Sequence, residues 1–239
     1  MRSARSLAMA VAVAGLAMLL ASGPGTRLGL WPWQAGLSLL KWATYTAMAA
    51  GVAGLVLLVM HFMPRWRPLG RGLPVAVVVI ALATMAMPLW MLSVAKRVPP
   101  IHDIATDTEQ PPSFVALLGE RRAAPNGADY GGPAVAAQQK QGYPDIEPLR
   151  VAQAPAAAIE RAAQVARGMG WQIAAVDPAE GRLEATATTA WMGFRDDIVV
   201  RIRPDGSGSR VDVRSVSRVG RSDVGANAKR IREFLAKLA

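Results

Sequence analysis

Three long apolar segments lie within the first 97 residues of this 239-residue chain, and they constrain its fold more than any other feature. They run from Leu7 to Ala21, from Trp42 to Met60 and from Leu73 to Ala95, and none contains a charged residue. A helix that spans a bilayer needs roughly 20 predominantly apolar residues. The second and third segments are therefore long enough to cross a membrane, whereas the first is short.

The first segment has two interpretations. Arg2 and Arg5 precede it, and the small residues Ala21-Ser22-Gly23 follow it, as at a secretory signal cleavage site. The same segment also fits an uncleaved first span, which we favour because further membrane segments follow. We predict an N-terminal bundle of three transmembrane helices over about residues 7–22, 42–62 and 73–95, with the lipid bilayer as its partner.

The charge distribution agrees with a membrane protein. Residues 1–97 contain nine Lys and Arg and no acid, while residues 98–239 contain eighteen Lys and Arg and all seventeen Asp and Glu. Nine of the ten net positive charges therefore lie in the part with the apolar segments, where basic residues anchor membrane helices, and a nucleic-acid partner is not expected. Because cysteine is absent, a disulfide scaffold and a cysteine metal site are excluded.

A short basic loop between the second and third segments predicts the orientation. It carries Arg65, Arg67 and Arg71, and the positive-inside rule places such a loop in the cytoplasm. Residues 98–239 then lie outside the cytoplasm whether or not the first segment is cleaved. We predict a multi-pass protein of the cytoplasmic (inner) membrane with an extracytoplasmic, periplasmic C-terminal domain.

The polar half begins with a segment rich in Pro, Gly, Ala and Gln. Residues 98–150 are predicted to form an extended arm with one short helix over Ser113–Arg122, and residues 151–239 a separate domain. The domain pattern is helix, four strands, helix. The predicted elements are a helix over Pro155–Gly168, strands over Trp171–Val176, Arg182–Thr189, Asp197–Arg203 and Ser209–Ser217, and a last helix from Ser222 or Asp223.

Each predicted strand alternates apolar and polar residues, which indicates antiparallel pairing with one apolar and one wet face. Both helices carry one apolar stripe. The predicted fold class is therefore α+β, with the membrane helices of residues 1–97 followed by a two-layer sandwich of a four-stranded antiparallel sheet and two helices.

The densest polar constellation lies between the last strand and the last helix. Backbone N–H groups at a helix N-terminus, flanked by arginines, bind phosphate, sulfate or carboxylate. Alternatively, Asp223 occupies the helix end and the arginines pair with Glu184, Asp196, Asp197 and Asp212. The candidate ligand-binding residues are Arg214, Ser215, Ser217, Arg218, Arg221, Ser222 and Asn227.

Secondary candidates are His102, Asp103, Trp191, Asp196 and Asp197. His102-Asp103 has the residue types of a histidine with an orienting carboxylate, but adjacent side chains rarely point the same way. Neighbours on a strand face opposite sides, so Asp196 and Asp197 do not simply share one metal ion. Trp191 lies in a stretch that forms either one wall of a site or a packed loop. No phosphate loop, zinc spacing or nucleophile elbow is present, so no catalytic residue, metal or cofactor is predicted.

Several motifs resemble the domain-of-unknown-function 1499 family. They are Pro99-Pro100-Ile101-His102-Asp103-Ile104, Tyr143-Pro144-Asp145-Ile146, Glu184-Ala185-Thr186-Ala187-Thr188-Thr189, Gly193-Phe194-Arg195-Asp196-Asp197 and Arg210 to Arg232. The resemblance covers about Pro99 to Leu238. Members of this family occur in bacteria and plastids, often with N-terminal membrane spans. The resemblance brings no established reaction, but it implies that the arm belongs to the folded unit.

The leading functional hypothesis is a domain that binds an anionic ligand, such as a lipid headgroup, or a partner protein of the cell envelope. One alternative is an envelope-facing, hydrolase-like enzyme in which His102, Asp103, Asp196 or Glu184 supplies acid–base groups. Another is a structural or assembly subunit, for which an exposed apolar patch is expected. The scarcity of candidate catalysts favours a non-enzymatic role.

Overall fold

The computed structural model describes residues 2–65 and 70–239, and its contacts divide the chain into two compact units. The first, here called the helical unit, comprises Met1–Ser93 with Ala190–Gly193. The second, here called the C-terminal domain, comprises Val94–Thr189 and Phe194–Ala239. Arg67, one of the arginines used for the orientation, lies outside the described residues.

The helical unit contains α1 (Arg2–Arg27), α2 (Trp33–His61) and α3 (Gly72–Ala95). In the described part of the chain, these three helices are long and apolar enough to cross a membrane. The observed α1 is longer than the predicted span of residues 7–22, because its later polar side chains bond to carbonyls of the same helix. Ser22 Oγ donates to Leu19 O at 2.7 Å and Thr26 Oγ1 to Ser22 O at 2.8 Å.

Small residues bring α1 and α2 into close contact. A Cβ atom added at Gly15 of α1 would lie 3.3 Å from both Ala43 O and Ala47 N of α2. The side chains of Ala43 and Ala47 are fully buried, whereas larger apolar side chains such as Val52 and Leu55 are exposed. Small residues inside and large apolar residues outside are typical of helices that pack in a bilayer.

The C-terminal domain contains, in chain order, β1 (Asp103–Ala105), α4 (Leu118–Ala123), α5 (Gly132–Gly142), β2 (Leu149–Val151), α6 (Pro155–Gly168), β3 (Gln172–Asp177), β4 (Arg182–Thr188), β5 (Arg195–Asp205), β6 (Gly208–Ser217) and α7 (Ala226–Leu238). Consecutive strands from β3 to β6 pair antiparallel, as predicted. The α+β class is therefore confirmed, but within the described residues the sheet has six strands rather than the predicted four.

The two additional strands come from the arm, and both pair antiparallel with the outer edge of β6. Ile104 of β1 lies opposite Ser215, and Arg150 of β2 lies opposite Arg210. Each strand has three residues and a partner far away in sequence. A local pattern does not predict such strands, because it is their pairing with β6 that makes them strands.

The arm also differs from the prediction of one short helix, since it contains both α4 and α5. Gln139 of α5 is buried, and its amide group bonds with both the N–H and the carbonyl of Ala105, at 3.0 and 2.6 Å. The Gln139 side chain thereby makes the two backbone hydrogen bonds that a neighbouring strand would otherwise make with Ala105 of β1. The sequence of α5 has no apolar stripe because this helix is held by an amide rather than by a row of apolar side chains.

One face of the sheet forms the apolar core with α6 and α7. The α6 helix has the predicted bounds. Trp171, just before β3, stacks on Phe234 of α7 with ring centroids 5.0 Å apart. The fully buried apolar residues of the sheet in this core are Ile104, Leu183, Ala185, Ile198, Val200, Val211 and Val213.

The other face was expected to be wet, and that expectation is wrong. Glu184, Asp197 and Asp212 are fully buried and Arg214 is 3% exposed. The arm covers this face, where Phe114 and Leu117 form a small apolar cluster with Val199 and Val216. Alternation in a strand separates polar from apolar side chains, but it does not show whether another segment covers the polar side.

Glu184 fixes the start of that cover. Its carboxylate accepts hydrogen bonds from the backbone N–H groups of Val115, Ala116 and Leu117 at 2.8 to 3.0 Å. Arg182 also contacts this carboxylate, with its Nε atom 3.2 Å from Glu184 Oε1. The predicted helix over 113–122 therefore shortens to α4, because the residues before it donate to this carboxylate.

Asp197 joins the cover to the sheet. Arg218 donates Nε to Oδ2 at 2.9 Å and Nη2 to Oδ1 at 2.8 Å, and Thr186 Oγ1 donates to Oδ1 at 2.8 Å. Arg121 of α4, fully buried, places Nη1 3.4 Å from Oδ2 and also donates to the carbonyls of Val216 and Gly127. Two guanidinium groups thus share one buried carboxylate.

The last helix starts later than predicted, at Ala226 rather than Ser222 or Asp223. Gly225 precedes it with a φ of +81°, a left-handed conformation that favours glycine. Asp223 nevertheless occupies the helix N-terminus, because its carboxylate accepts from the N–H groups of Gly225 and Asn227 at 2.8 and 2.9 Å.

We expect Arg121→Ala to lower the free energy of unfolding by about 3–5 kcal/mol, because it removes one partner of a buried ion pair. The neighbouring Arg122→Ala removes an exposed guanidinium, and its effect should stay within about 0.5 kcal/mol. Urea unfolding of the detergent-solubilised full chain, followed by tryptophan fluorescence, measures both. Equal effects of the two substitutions would contradict a structural role for Arg121.

Candidate functional site

The first arginine of the predicted anion site, Arg214, is bound by a carboxylate of the protein. Its Nε and Nη2 atoms donate to the two oxygens of Asp103 at 3.0 and 2.8 Å. Nη2 also donates to Ala128 O at 3.0 Å, and the guanidinium lies over the rings of Phe114 and Tyr130 at 5.5 Å. Arg214 therefore holds the arm on the sheet, and Asp103 serves as its counter-charge.

Arg218 is likewise occupied, because both oxygens of Asp197 accept from it. Asp196 faces the opposite side of β5, as expected for neighbours on a strand, and binds Arg230 Nη2 at 2.6 Å. The two acidic side chains thus bind different arginines. In the described residues, no three His, Asp or Glu side chains are grouped so that they could hold a metal ion.

Ser215, Ser217 and Asn227 form a buried hydrogen-bond cluster between β6 and α7. Ser215 Oγ donates to Asn227 Oδ1 at 2.6 Å, and Asn227 Nδ2 donates to Ser217 Oγ at 3.0 Å and to His102 O at 3.0 Å. Arg230 donates to both Ser215 Oγ and Asn227 Oδ1. The cluster satisfies buried polar atoms and joins the arm, the sheet and the last helix.

The helix end expected to receive an anion already holds one, the carboxylate of Asp223. Burial raises the pKa of this carboxyl above its usual value, while its bonds with the backbone N–H groups of Gly225 and Asn227 oppose that rise. Ser222 accepts from the N–H group of Val224 at 3.1 Å, a local turn contact. The seven predicted ligand-binding residues therefore lie close together, but most of their polar groups bond within the protein.

Arg221 differs from Arg214 and Arg218. Its side chain is exposed, and among residues 2–65 and 70–239 no carboxylate lies within ion-pair distance of it. It lines a cavity of about 410 Å³ together with His102, Asn126 and Asp129. Of the three arginines in the predicted anion site, Arg221 is thus the one that remains available to a ligand.

His102 lies at the wall of this cavity, with its backbone in the sheet edge. Its Nδ1 atom is 3.4 Å from the carbonyl oxygen of Arg221, a contact made when Nδ1 carries the proton. Its carbonyl accepts from Ser217 N at 3.0 Å. Asp103 lines the same cavity, but its carboxylate is bound to Arg214. Adjacency in sequence thus places both residues at one cavity without forming a histidine–carboxylate pair.

Trp191 is not among the residues that line this cavity. It belongs to Ala190–Gly193, the segment between β4 and β5 whose contacts group with the helical unit. The interpretation of this segment as one wall of a site stays a prediction.

The sequence analysis missed a second charged cluster at the arm. Asp107 and Asp212 together bind Arg201 and Arg210, with distances of 2.9 to 3.2 Å. Arg203 contacts the same carboxylates. Asp107 and Arg210 line a cavity of about 590 Å³, where the lining Glu109 and Glu147 add negative charge. This cavity is larger, and Lys140 and Arg150 also line it. Both of its arginines are bound by carboxylates, so it is a weaker candidate for bidentate binding of an anion than the cavity at Arg221.

Two tyrosines of the arm have buried hydroxyl groups. Tyr130 OH and Tyr143 OH are inaccessible to solvent and have no hydrogen-bond partner. Burial raises the pKa of each phenol to about 12, with further contributions from the carboxylates of Asp103 and Asp223, respectively. Sequence patterning gives no signal for such groups, because their burial depends on how the arm folds over the sheet.

We expect Tyr130→Phe to raise the free energy of unfolding by up to about 1 kcal/mol near neutral pH, because a buried hydroxyl without a partner is costly. The pKa of this phenol is about 12 in the folded protein, above the usual 10.0, so the free energy of unfolding of the native chain falls as the pH rises from 10 through 12. The advantage of the variant should therefore grow in alkali. Urea unfolding at neutral pH and above pH 10 measures the free energy of unfolding of the native chain and the variant, and Tyr143→Phe is measured in parallel. A large loss of stability in Tyr130→Phe at neutral pH would contradict an unpartnered hydroxyl.

Comparison with known proteins agrees with the geometry of the domain. The family described as "Protein of unknown function (DUF1499)" matches residues 103–238, which begin at β1 and end with α7. A search of the curated proteins finds no match. The matched region includes the arm, in agreement with its strands and its buried ion pairs. Because the match covers more than half of the sequence, the chain belongs to the DUF1499 family.

Proposed function

We propose that this chain is a multi-pass protein of the cytoplasmic membrane that presents its C-terminal domain outside the cytoplasm and there binds an anionic component of the cell envelope. The proposed site is the cavity lined by Arg221 and His102. The observation that carries the proposal is the exposed Arg221 guanidinium, which has no carboxylate partner within the described residues although most of the arginines around it are paired.

Membrane location is supported by three apolar helices within the described residues, and the orientation by the distribution of arginine. Arg65, Arg67 and Arg71 lie in the short connection between α2 and α3, which the positive-inside rule places in the cytoplasm. The helix that follows leads directly to the C-terminal domain. One crossing of the membrane, by α3, therefore brings that domain from the cytoplasmic loop to the outer side.

Anion binding is supported by the unpaired guanidinium of Arg221 and not by an excess of positive charge, because Asp129 also lines the cavity. Asp103 lines the cavity, but its charge is compensated by the bidentate contact with Arg214. The Arg221 guanidinium has no such compensation, so it can donate two parallel hydrogen bonds to a phosphate or a carboxylate. The His102 ring adds a polar group at the same wall. The cavity, at about 410 Å³, lies within the size range of small-molecule sites.

Binding is favoured over the two alternatives by contacts of the same residues. A hydrolase needs a histidine oriented by a free carboxylate, whereas His102 contacts a backbone carbonyl and Asp103 is bound to Arg214. An assembly subunit needs an exposed apolar patch. Among the described residues of the C-terminal domain, the exposed large apolar side chain is that of Val115.

The orientation is tested by reporters fused to the C-terminus. We expect high activity from alkaline phosphatase, which matures only outside the cytoplasm, and no fluorescence from a green fluorescent protein that matures in the cytosol. Replacing Arg65, Arg67 and Arg71 with Gln should lower the phosphatase signal, because the loop then loses its cytoplasmic preference. A fluorescent C-terminal fusion of the native sequence would contradict the orientation.

The binding site is tested by Arg221→Gln. We expect the affinity of the detergent-solubilised full chain for inorganic phosphate to fall about tenfold, because a charge-assisted hydrogen bond is lost. Arg195→Gln is the matched control, since Arg195 is also exposed and is not among the residues that line this cavity. Calorimetric titration at low and high salt measures the affinity. Equal affinities of the native chain and Arg221→Gln would refute the site. Arg218→Gln is unsuitable here, because it leaves Asp197 with fewer buried partners.

A further inference from the structure

We infer that the ligand of this cavity is a zwitterion, in which one small group carries both an anion, such as phosphate, and an ammonium. This inference rests on the proposed function, because it concerns the same cavity and the same arginine. It adds a second charged residue, Asp129, to which the sequence analysis assigned no role.

Asp129 lines the same cavity as Arg221 and carries the opposite charge. Its carboxylate is exposed, and in the part of the chain that the structure describes it takes part in no ion pair. Asp129 and Arg221 are not bonded to each other either. Two opposite charges thus line one cavity and leave space for a ligand between them.

This arrangement disfavours a ligand with one charge. An anion bound to Arg221 is repelled by Asp129, and a cation bound to Asp129 is repelled by Arg221. A zwitterion converts both repulsions into attractions, because each of its charged groups has an opposite partner. Charge complementarity therefore selects for a ligand that carries both groups.

The remaining lining agrees with a compact ligand of this kind. Pro100, Ile101 and Val135 provide apolar contact for a short carbon linker. His102 provides a polar group at the same wall. A few apolar residues with a small number of convergent polar groups are characteristic of small-molecule sites.

The test uses three probes on the detergent-solubilised full chain, in a non-ionic detergent: phosphoethanolamine, inorganic phosphate and ethanolamine. We expect phosphoethanolamine to bind about fivefold more tightly than inorganic phosphate, the increment of a partly exposed ion pair. Calorimetric titration gives the three dissociation constants. Equal binding of phosphoethanolamine and phosphate would overturn the inference, while the anion site of the proposed function would stand.

Asp129→Asn separates the two charges. We expect it to weaken phosphoethanolamine about fivefold and to leave inorganic phosphate binding unchanged or tighter, because a repulsive carboxylate is removed. Arg221→Gln should weaken both. Glu160→Gln, an exposed acid on α6, is the matched control and should change neither. If Asp129→Asn tightens phosphoethanolamine and phosphate equally, the site takes anions only and the inference fails. If the native chain binds neither probe, the proposed function itself fails.

Native mass spectrometry distinguishes the two sources of this chemistry. Phosphatidylethanolamine retained by the native chain and lost from Asp129→Asn would identify a lipid headgroup. Binding of soluble phosphoethanolamine without retained lipid would identify a free zwitterion. Retention of phosphatidylglycerol in preference to phosphatidylethanolamine, unaffected by Asp129→Asn, would overturn the inference.

Discussion

The C-terminal domain depends on a layer of charge enclosed between the sheet and the arm. At its centre, the carboxylate of Asp197 is shared by Arg121 of the arm and Arg218, which directly follows β6. Removing either arginine leaves a buried charge with too few partners, which costs far more than the loss of a surface ion pair. These ion pairs therefore fix the arm on the sheet together with its buried apolar side chains, which are Ile101, Ile104, Phe114, Leu117, Tyr143 and Ile146.

This layer also determines which arginines remain for a ligand. Arg214 and Arg218 hold Asp103 and Asp197, and Arg230 holds Asp196, so their charges are used within the fold. Arg221 follows the last strand, and no carboxylate of the described residues lies within ion-pair distance of it. Most of the arginines in this run thus serve stability, whereas Arg221 keeps an unpaired positive charge at a cavity.

The family motifs have a physical explanation in these contacts. Asp103 in the first motif binds Arg214, and Asp145 in the second binds Arg232 at 2.6 and 2.7 Å. This contact holds the pKa of the Asp145 carboxyl below its usual value. Motifs that are distant in sequence are thus partners in the fold. The match over residues 103–238 covers both sides of each pair, which explains why the arm belongs to the domain.

Local sequence patterns determined the three apolar helices, the helix at Pro155–Gly168 and the four strands from β3 to β6, because their side-chain periodicity is set within each segment. The pattern also placed the candidate arginines near one another. Only the tertiary structure decided that β1 and β2 extend the sheet, that its polar face is buried, and that Arg221 rather than Arg214 or Arg218 remains free of a carboxylate. Those outcomes depend on contacts between segments far apart in the chain, and the identity of a residue does not reveal which distant charge will compensate it.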